Sequence, residues 1–307
     1  MIFKDINRFK NLSIKETEAL FGDKQKSKTP HPKRGANMML NPLKLEHLNR
    51  LDELEADMIT INLEDAIAPQ RKEEALYNTA LFLSHLENSK SFIIIRTNEL
   101  RNGGAKEIKF LNNFGFDAVR LPKVHRSDDV AKTLEILDSS KELHLSLETK
   151  EAFADIGSLK IDPQVTTLNL GILDLLASLD IPQERLKLEN PTIDYILSKF
   201  LIESKSVDFH PISFMFQDYN DTDTFRAWCQ KERLLGYESK ACMGPKQVEI
   251  AKEVFAPSCD ELQRAAKIKE LFEASAKKGI NGFMDETYGF IDEPIYKDAI
   301  GLIAKYT

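Results

Sequence analysis

The chain has 307 residues and a mass of 35.0 kDa, and its 42 Lys and Arg against 49 Asp and Glu give a net charge of −7. This acidic balance argues against a nucleic-acid binder, which needs a clustered basic face. No apolar run reaches the roughly 18–20 residues of a membrane-spanning helix, and the start, Met1–Asp5, lacks a secretory signal pattern. Three cysteines without C-x-x-C spacing argue against a disulfide framework or a zinc site, so we expect a cytoplasmic protein.

The first 35 residues are expected to form an N-terminal extension. Ile6–Phe21 is compatible with a short amphipathic helix that begins near Ser13. Residues 24–35 are polar and basic and contain Pro30 and Pro32, a composition typical of a linker.

From residue 36 onward, short apolar runs alternate with longer segments of helical periodicity. The predicted strands are Asn37–Leu40, Met58–Leu63, Phe92–Ile95, Ala118–Leu121, Leu143–Leu147, Thr166–Leu170, Val207–Met215 and Ala241–Met243. The predicted helices between them are Leu43–Glu55, Lys72–Leu86, Ala105–Phe114, Ser127–Leu137, Lys150–Leu159, Ile193–Ser204 and Asp223–Gly236. Mostly continuous apolar runs are typical of parallel strands covered on both faces. About eight such units favour an α/β fold of the (β/α)8 TIM-barrel class. No G-x-G-x-x-G follows the first strand to support an open dinucleotide-binding sheet.

We assign residues 36–257 to this barrel and residues 258–307 to a C-terminal helical lid or oligomerisation segment. The tail is predicted to contain a long helix, Ser258–Lys278, a glycine-punctuated stretch, and a final helix, Ile295–Tyr306. It is too long to serve only as the closure of a barrel.

Charged residues follow several predicted strands, at the barrel edge where enzyme chemistry is located. These residues are Glu64, Asp65, Arg96, Lys123, Glu148 and Asp174. Each one alone is weak evidence, because strands commonly end in polar residues. Their recurrence at one edge predicts a shared site.

Glu148 and Asp174 are the pair that best suits a divalent cation. Two carboxylates from adjacent strand ends, completed by water and substrate oxygens, form a typical magnesium arrangement. The alternative is that each carboxylate stabilises the start of the helix that follows it. Glu64 and Asp65 have the same alternative, with Asp65 as the cap of a helix made irregular by Pro69.

Arg96 directly follows an apolar strand and can present a bidentate donor to a carboxylate or phosphate. The alternative is an ion pair with Glu64 or Asp65, and both roles are compatible. For Lys123 a structural and a functional role remain equally open. His144 is predicted to be an interior histidine.

His210 is placed near the end of the seventh strand, where a position at the rim of the site is one alternative. The chain has no G-x-S-x-G elbow and no G-x-x-x-x-G-K-[ST] loop, which argues against serine-hydrolase and P-loop chemistry.

Six segments, in order along residues 36–305, resemble the HpcH/HpaI aldolase and citrate lyase β-subunit superfamily, in particular its citrate lyase β-like and malyl-CoA lyase branch. The segments are Ala56–Pro69, Ile95–Asn98, Asp117–Val124, Leu147–Thr149, Leu170–Leu175 and Pro245–Ser258. The resemblance implies a (β/α)8 barrel, a Mg²⁺ cofactor, and cleavage or formation of a carbon–carbon bond in a citryl-, malyl- or related acyl-CoA thioester.

By the same resemblance, Glu148 and Asp174 would be the metal ligands, and Arg96 would bind a substrate carbonyl or carboxylate. Glu64 and Asp65 would order metal-bound water. The remaining implied groups are the backbone amides of Gly171, Ile172 and Leu173, which would receive a substrate carboxylate, and Asp292, which would act catalytically from a C-terminal lid. Related enzymes often deliver this acid to a neighbouring subunit, so we expect a homo-oligomer, either a trimer or a hexamer.

Three departures from the family pattern leave alternatives open, and one of them is that the N-terminal extension through Gly35 has no clear family counterpart. Residues 38–42 lack the arginine and the Pro-Gly loop of many members, and Gly244-Pro245 replaces their His-Pro. The expected partners are a small 2-oxo acid and an acyl-CoA, with no nucleic acid and no membrane. The alternatives are a CoA-independent 2-keto acid aldolase and a non-catalytic barrel subunit of a complex.

Overall fold

A computed structural model describes residues 1–306, which divide into two compact units that meet at Phe255 and Ala256. We call residues 1–255 the barrel unit and residues 256–306 the tail unit. The eight strands of the barrel unit are β1 (Gly35–Leu40), β2 (Met58–Asn62), β3 (Phe92–Arg96), β4 (Ala118–Leu121), β5 (Glu142–Leu147), β6 (Val165–Leu170), β7 (His210–Ile212) and β8 (Ser239–Cys242).

The eight strands are parallel and form a barrel, which confirms the predicted fold class. Each strand from β1 to β6 pairs with the next one along the chain, and β8 pairs with β1. Ser213, just after β7, makes a parallel bridge to Lys240 of β8 and closes the ring.

The helices of the barrel unit follow the strand–helix alternation. They are α1 (Ile14–Glu18), α2 (Leu45–Leu48), α3 (Lys72–Leu83), α4 (Gly104–Leu111), α5 (Ser127–Leu134), α6 (Lys150–Ala154), α7 (Ile172–Ser178), α8 (Pro191–Ser206), α9 (Thr222–Leu235) and α10 (Pro245–Phe255). None of the described helices has both the length and the apolar character needed to cross a bilayer.

The register of the strands brings their polar ends together. Asn62 of β2 is paired with Arg96 of β3, which is in turn paired with Arg120 of β4. Leu147 of β5 is paired with Leu170 of β6, so Glu148 and Gly171 follow side by side. The interior of β2, β3 and β4 is completely buried, so these strands form a rigid support for the residues at their ends.

The seventh strand is shorter than predicted, and this moves His210. The apolar run suggested a strand over Val207–Met215, but β7 begins only at His210 because Asp208 adopts a left-handed backbone with φ of 60°. His210 is therefore the first residue of β7 and lies at the end of the barrel opposite to the rim. The rim alternative for this residue is wrong.

The segment predicted to be a linker is fixed to the lower end of the barrel, by which we mean the end where the strands begin. The Lys26 ammonium lies 2.7 Å from the Asp117 carboxylate, and both side chains are buried. The backbone amide of Thr29 donates to the same carboxylate at 2.9 Å. The linker interpretation failed because it rested on polarity, whereas these polar groups pair with buried partners. The predicted early helix is present as α1, with Ser13 as its cap.

The tail unit contains α11 (Cys259–Ala276), strands β9 (Gly282–Asp285) and β10 (Gly289–Asp292), and α12 (Glu293–Tyr306). The glycine-punctuated stretch thus forms an antiparallel hairpin, which the sequence did not predict. Its small core is formed by Ala265, Ile268, Phe272, Ile291 and Ala299. The function of this unit as a lid stays a prediction.

Candidate active site

Arg96 is the centre of a charged cluster at the rim of the barrel. Its Nη2 donates to Asp65 Oδ2 at 3.2 Å and to Glu148 Oε1 at 3.0 Å, and it also contacts the Glu64 carboxylate. Arg96 is only 6% exposed, yet its Nε has no hydrogen-bond partner among the described residues. The ion pairs expected for Arg96 are therefore present, and one buried donor of the guanidinium is left over.

Glu148 is held in place by the strand ends on both sides of it. Its Oε2 accepts a hydrogen bond of 3.0 Å from the backbone amide of Lys123, and its Oε1 contacts Arg96. Helix α6 is capped by Thr149, whose hydroxyl accepts from the amide of Ala152 at 3.3 Å. The alternative in which Glu148 is the helix cap is therefore wrong.

Asp174 lies in the first turn of α7 and borders the same cavity as Glu148. This cavity has a volume of about 230 Å³, and its wall includes Asp65, Arg96, Arg120, Glu148 and Asp174. Partial desolvation, followed by the charges of Glu148 and Asp65, raises the pKa of Asp174. Carboxylates facing a common space in this way repel one another unless a cation lies between them.

The donor set at the rim fits a hard divalent cation. Four carboxylates lie together at the rim, those of Glu64, Asp65, Glu148 and Asp174. Carboxylate oxygens are the ligands that Mg²⁺ prefers. Glu64, which is 4% exposed, faces two of the rim cations: its carboxylate is ion-paired with Arg96, and its Oε1 lies 3.4 Å from Lys123 Nζ. Burial raises the pKa of Glu64 to about 7, with Arg96 acting in the opposite direction.

The three backbone amides expected to receive a carboxylate are not equivalent. The amide of Gly171 donates to Leu147 O at 3.0 Å and is thus part of the sheet. The amides of Ile172 and Leu173 lie in the first turn of α7, where backbone donors have no intrahelical acceptor. The expected anion contact is therefore reduced to Ile172 and Leu173.

Arg120 is a residue of this site that the sequence reasoning missed. It lies within β4, is 5% exposed, lines the cavity, and donates through Nε to Ser146 Oγ at 2.7 Å. Burial, followed by repulsion from Arg96, lowers its pKa to about 9, so the side chain stays cationic at neutral pH. The available signal was a charge inside an otherwise apolar strand, because a buried charge requires a polar partner or a function.

Lys123 supplies a second cation on the outer side of the cluster. Its Nζ is 3.4 Å from Glu64 Oε1 and 3.7 Å from Asp65 Oδ1. Its backbone has a φ of 49°, a left-handed conformation that is unusual for a side-chain-bearing residue and that accumulates at functional sites. Lys123 therefore has structural contacts and also points its charge toward the rim.

Asp292 is located in the tail unit, at the end of β10. Its Oδ1 accepts a hydrogen bond of 3.2 Å from the amide of Ile295 and so caps α12. The cluster described above is assembled entirely from the barrel unit. A catalytic role for Asp292 stays a prediction.

Curated relatives of the chain are named as malyl-CoA thioesterases, malyl-CoA lyases and a citrate lyase beta subunit. A (3S)-malyl-CoA thioesterase from Cereibacter sphaeroides is 25% identical over 233 residues, which cover 76% of this chain and 80% of that protein. The citrate lyase subunit beta of Leuconostoc mesenteroides is 26% identical over 251 residues, covering 78% and 82%. An L-malyl-CoA/beta-methylmalyl-CoA lyase from C. sphaeroides is 23% identical over 252 residues, covering 73% and 79%.

Solved structures share the fold. A citrate lyase from Burkholderia xenovorans superposes with a TM-score of 0.77 at 17% identity, covering 90% of this chain and 92% of that one. The protein CitE from Mycobacterium tuberculosis, in complex with magnesium, acetoacetate and coenzyme A, gives a TM-score of 0.72 at 16% identity, covering 89% and 98%. The profile of the HpcH/HpaI aldolase/citrate lyase family matches residues 41–245, about two thirds of the chain. By this match, with the barrel and the acidic rim in place, the chain belongs to the HpcH/HpaI aldolase/citrate lyase family.

Proposed function

We propose that the protein is a Mg²⁺-dependent carbon–carbon lyase that cleaves or forms a bond in a citryl-, malyl- or related acyl-CoA thioester. The observation that carries this proposal is the cavity bordered at once by two carboxylates, Glu148 and Asp174, and two buried guanidinium groups, Arg96 and Arg120. Acidic groups that suit a metal and cations that suit a carboxylated substrate are thus within one small volume.

Glu148 and Asp174 would hold the metal ion. When bound, Mg²⁺ supplies Lewis-acid stabilisation of negative charge on a substrate oxygen. The rim carries several carboxylates besides its arginines. The charge of a bound metal ion would therefore reduce the repulsion between these carboxylates and an anionic substrate.

The side chains of the barrel orient the substrate and stabilise developing charge. The unpaired Nε of Arg96 and the guanidinium of Arg120 are donors for a carboxylate or an enolate oxygen at the cavity wall. Fixed donors of this kind act strongly because they need no reorganisation during the reaction. Glu64, through its contact with Arg96, holds the guanidinium in position. Asp65 contributes a second contact of this kind.

We assign to Asp292 the transfer of the proton to and from the acyl α-carbon. Cleavage leaves a carbanion equivalent beside the thioester carbonyl, which must be protonated, and the reverse reaction must remove that proton. A carboxylate brought in by the tail unit would serve both directions.

Use of a CoA thioester is supported by a second pocket beside the rim. This pocket has a volume of about 470 Å³ and shares Lys123 with the charged cluster. Arg101, Arg126 and Lys132 also line it, and these cations can pair with phosphate groups. Asp128 and Asp129 also line this pocket, and their negative charges would repel an anionic group on their side of it.

Thioester hydrolysis is the second candidate, because a relative named (3S)-malyl-CoA thioesterase is 25% identical to this chain. In both reactions, a metal ion held by Glu148 and Asp174 would polarise a carbonyl group of the substrate. They differ in their products: a lyase releases a 2-oxo acid and an acyl-CoA, whereas a thioesterase releases a hydroxy acid and free CoA thiol.

The deciding experiment incubates the purified protein with malyl-CoA and citryl-CoA, with Mg²⁺ or with a chelator. Release of a 2-oxo acid without free thiol supports the lyase, and thiol without a 2-oxo acid supports the thioesterase. Cleavage of a free hydroxy-keto acid instead would identify the CoA-independent aldolase. If no product forms with any substrate, and the calorimetric binding of oxaloacetate does not depend on Mg²⁺, the non-catalytic alternative is supported.

We also propose a homo-oligomer, a trimer or hexamer, in the cytoplasm. The hairpin of the tail unit exposes the apolar side chains of Met284 and Phe290, which are 74% and 56% exposed. Light scattering coupled to gel filtration measures the assembly, and a monomeric mass would contradict this proposal.

A further inference from the structure

A second group of metal-ligand side chains lies at the lower end of the barrel, away from the rim. Glu142 and His144 are at the start of β5, and His31 comes from the N-terminal segment that crosses this end. Glu148 follows the same strand six residues after Glu142, so the two sites are about 20 Å apart along the strand. The charged cluster at the rim does not involve these residues.

The three side chains offer ligand atoms that converge. One nitrogen of each imidazole and one oxygen of Glu142 all lie within 4.8 Å of one another. Glu142 Oε2 is 2.7 Å from His31 Nδ1 and 3.4 Å from His144 Nε2. Tetrahedral zinc with bonds of about 2.0–2.1 Å separates its ligand atoms by about 3.3 Å. The His144 distance already matches this value, and the His31 distance would have to lengthen by about 0.6 Å.

The ring nitrogen of His31 that would not bind the ion already has a partner that orients the imidazole. His31 Nε2 is 3.0 Å from His210 Nδ1, and His210 Nε2 is 2.7 Å from Ser239 Oγ. The hydroxyl of Thr166 donates at 2.7 Å to Glu142 Oε2, the oxygen that also faces the two imidazoles, and so helps to fix this carboxylate. Outer contacts of this type fix the ring orientation of metal-binding histidines.

The buried imidazole of His144 lacks good partners in this arrangement. His144 is completely buried, and its Nδ1 has no hydrogen-bond partner among the described residues. The 3.4 Å contact of Nε2 with Glu142 is longer than an ordinary N–H···O hydrogen bond. A metal ion bound at Nε2 would replace this long contact with a coordinate bond.

We propose that His31, Glu142 and His144 bind a divalent transition-metal ion of the Zn²⁺ class. Two imidazoles and one carboxylate form a ligand set that zinc uses in proteins, with a fourth position left for water. Magnesium does not suit this site, because Mg²⁺ prefers oxygen ligands and octahedral geometry.

Solvent can reach the site from the lower end of the barrel. A pocket of about 650 Å³ opens there, and His31, Glu142 and His210 line it. Two lysines of this pocket are engaged with backbone carbonyl oxygens, Lys160 with Val165 and Lys205 with Gly236. The ammonium groups of these two lysines therefore point toward backbone carbonyl oxygens. The bound ion would tie the N-terminal segment to β5, so its role is to stabilise the barrel.

The test removes the rim site first. The double variant Glu148→Gln/Asp174→Asn is treated with a chelator and titrated with Zn²⁺ in a calorimeter and with Co²⁺ in an absorption spectrometer. We expect one equivalent to bind, with Co²⁺ bands typical of tetrahedral coordination and a rise in melting temperature. Mg²⁺ at millimolar concentration should produce none of these effects.

Adding His31→Gln or Glu142→Gln to this variant should abolish the binding. The matched control is His125→Gln, which removes an exposed imidazole that lies 3.4 Å from Glu151 and should leave the binding unchanged. The proposal is overturned if the rim-deleted variant binds no Zn²⁺, or if His31→Gln binds it equally well. If a variant fails to fold, hydrogen exchange of the unmodified protein decides: Zn²⁺ must slow exchange in residues 24–34, and unchanged exchange overturns the proposal.

Discussion

Gly171 lies directly against the side chain of Glu148. A Cβ atom at residue 171 would be 2.3 Å from Glu148 Cγ and 2.8 Å from Glu148 Oε1, distances that no real side chain tolerates. The glycine that follows β6 therefore leaves the space through which this carboxylate reaches the cavity. The proposed metal site thus depends on Gly171, a residue whose contribution is that it has no side chain.

Gly171→Ala is expected to displace Glu148 and to lower turnover roughly a hundred-fold, since errors of about 1 Å in an active site have effects of this size. Mg²⁺ affinity should fall with it, while the melting temperature should change much less. Steady-state kinetics and calorimetry measure both. The matched control is Gly157→Ala, where a Cβ would meet only Val207 Cγ1 at 3.8 Å. Equal activity in the two variants would contradict the assigned role of Glu148.

Glu148→Gln should weaken Mg²⁺ binding and reduce turnover at least about a hundred-fold, because a neutral amide is a poor ligand for a hard cation. Asp174→Asn should have the same effect for the same reason. Asp180→Asn serves as a control, because this exposed residue lies just beyond the same helix and asparagine tolerates its φ of 57°. Mg²⁺ titrations followed by activity distinguish the three variants. Unchanged Mg²⁺ dependence in both rim variants would remove the basis of the proposed site.

Arg120→Gln should raise KM for a carboxylated substrate about ten-fold or more, the expected loss of one hydrogen bond to a charged group. Ser146→Ala keeps the guanidinium but removes its 2.7 Å partner, so a smaller change is expected. Comparing KM and kcat in both variants separates substrate binding from positioning. If Arg120→Gln leaves KM unaltered, this arginine only supports the interior of the barrel.

Asp292→Asn should lower kcat while leaving Mg²⁺ affinity intact. Asparagine caps helices as well as aspartate does, so the hydrogen bond to Ile295 and the stability of α12 should persist. The substitution therefore removes the acid without removing the cap. Asp298→Asn, an exposed residue of the same helix, is the control. A large loss of Mg²⁺ binding in Asp292→Asn, or full activity, would contradict the proton-transfer role.

The pKa of Glu64 gives a pH-dependent signature in the metal-free protein. Burial raises this pKa from 4.5 to about 7, so between these values the folded state holds a proton that the unfolded state has released. Stability contributed by this proton is complete below pH 4.5 and is lost as the pH rises to about 7. Relative to the unmodified protein, Glu64→Gln should become progressively more stable across this interval and then level off. Urea unfolding in a chelating buffer measures the difference, and a constant difference would contradict the raised pKa.

The strand order and the gathering of charges at the rim were predictable because they follow from simple periodicity. Seven of the eight strands lie close to the predicted positions. The predicted seventh strand was too long, because an apolar run does not reveal that Asp208 has a left-handed backbone. Arg120 was not predicted because it lies within β4, whereas the predicted site residues are those that follow the strands. The burial of Lys26 depends on Asp117, which is 91 residues away, and no local pattern encodes that contact.

The contact of Lys26 with Asp117 has a consequence for where the catalytic domain begins. A chain starting at β1 would keep every rim residue but would leave Asp117 as a buried carboxylate without its counter-charge. Removing one partner of a buried ion pair typically costs about 3–5 kcal/mol. A fragment that begins at β1 is therefore expected to be less stable than one that also contains Lys26, although the family match starts only at residue 41.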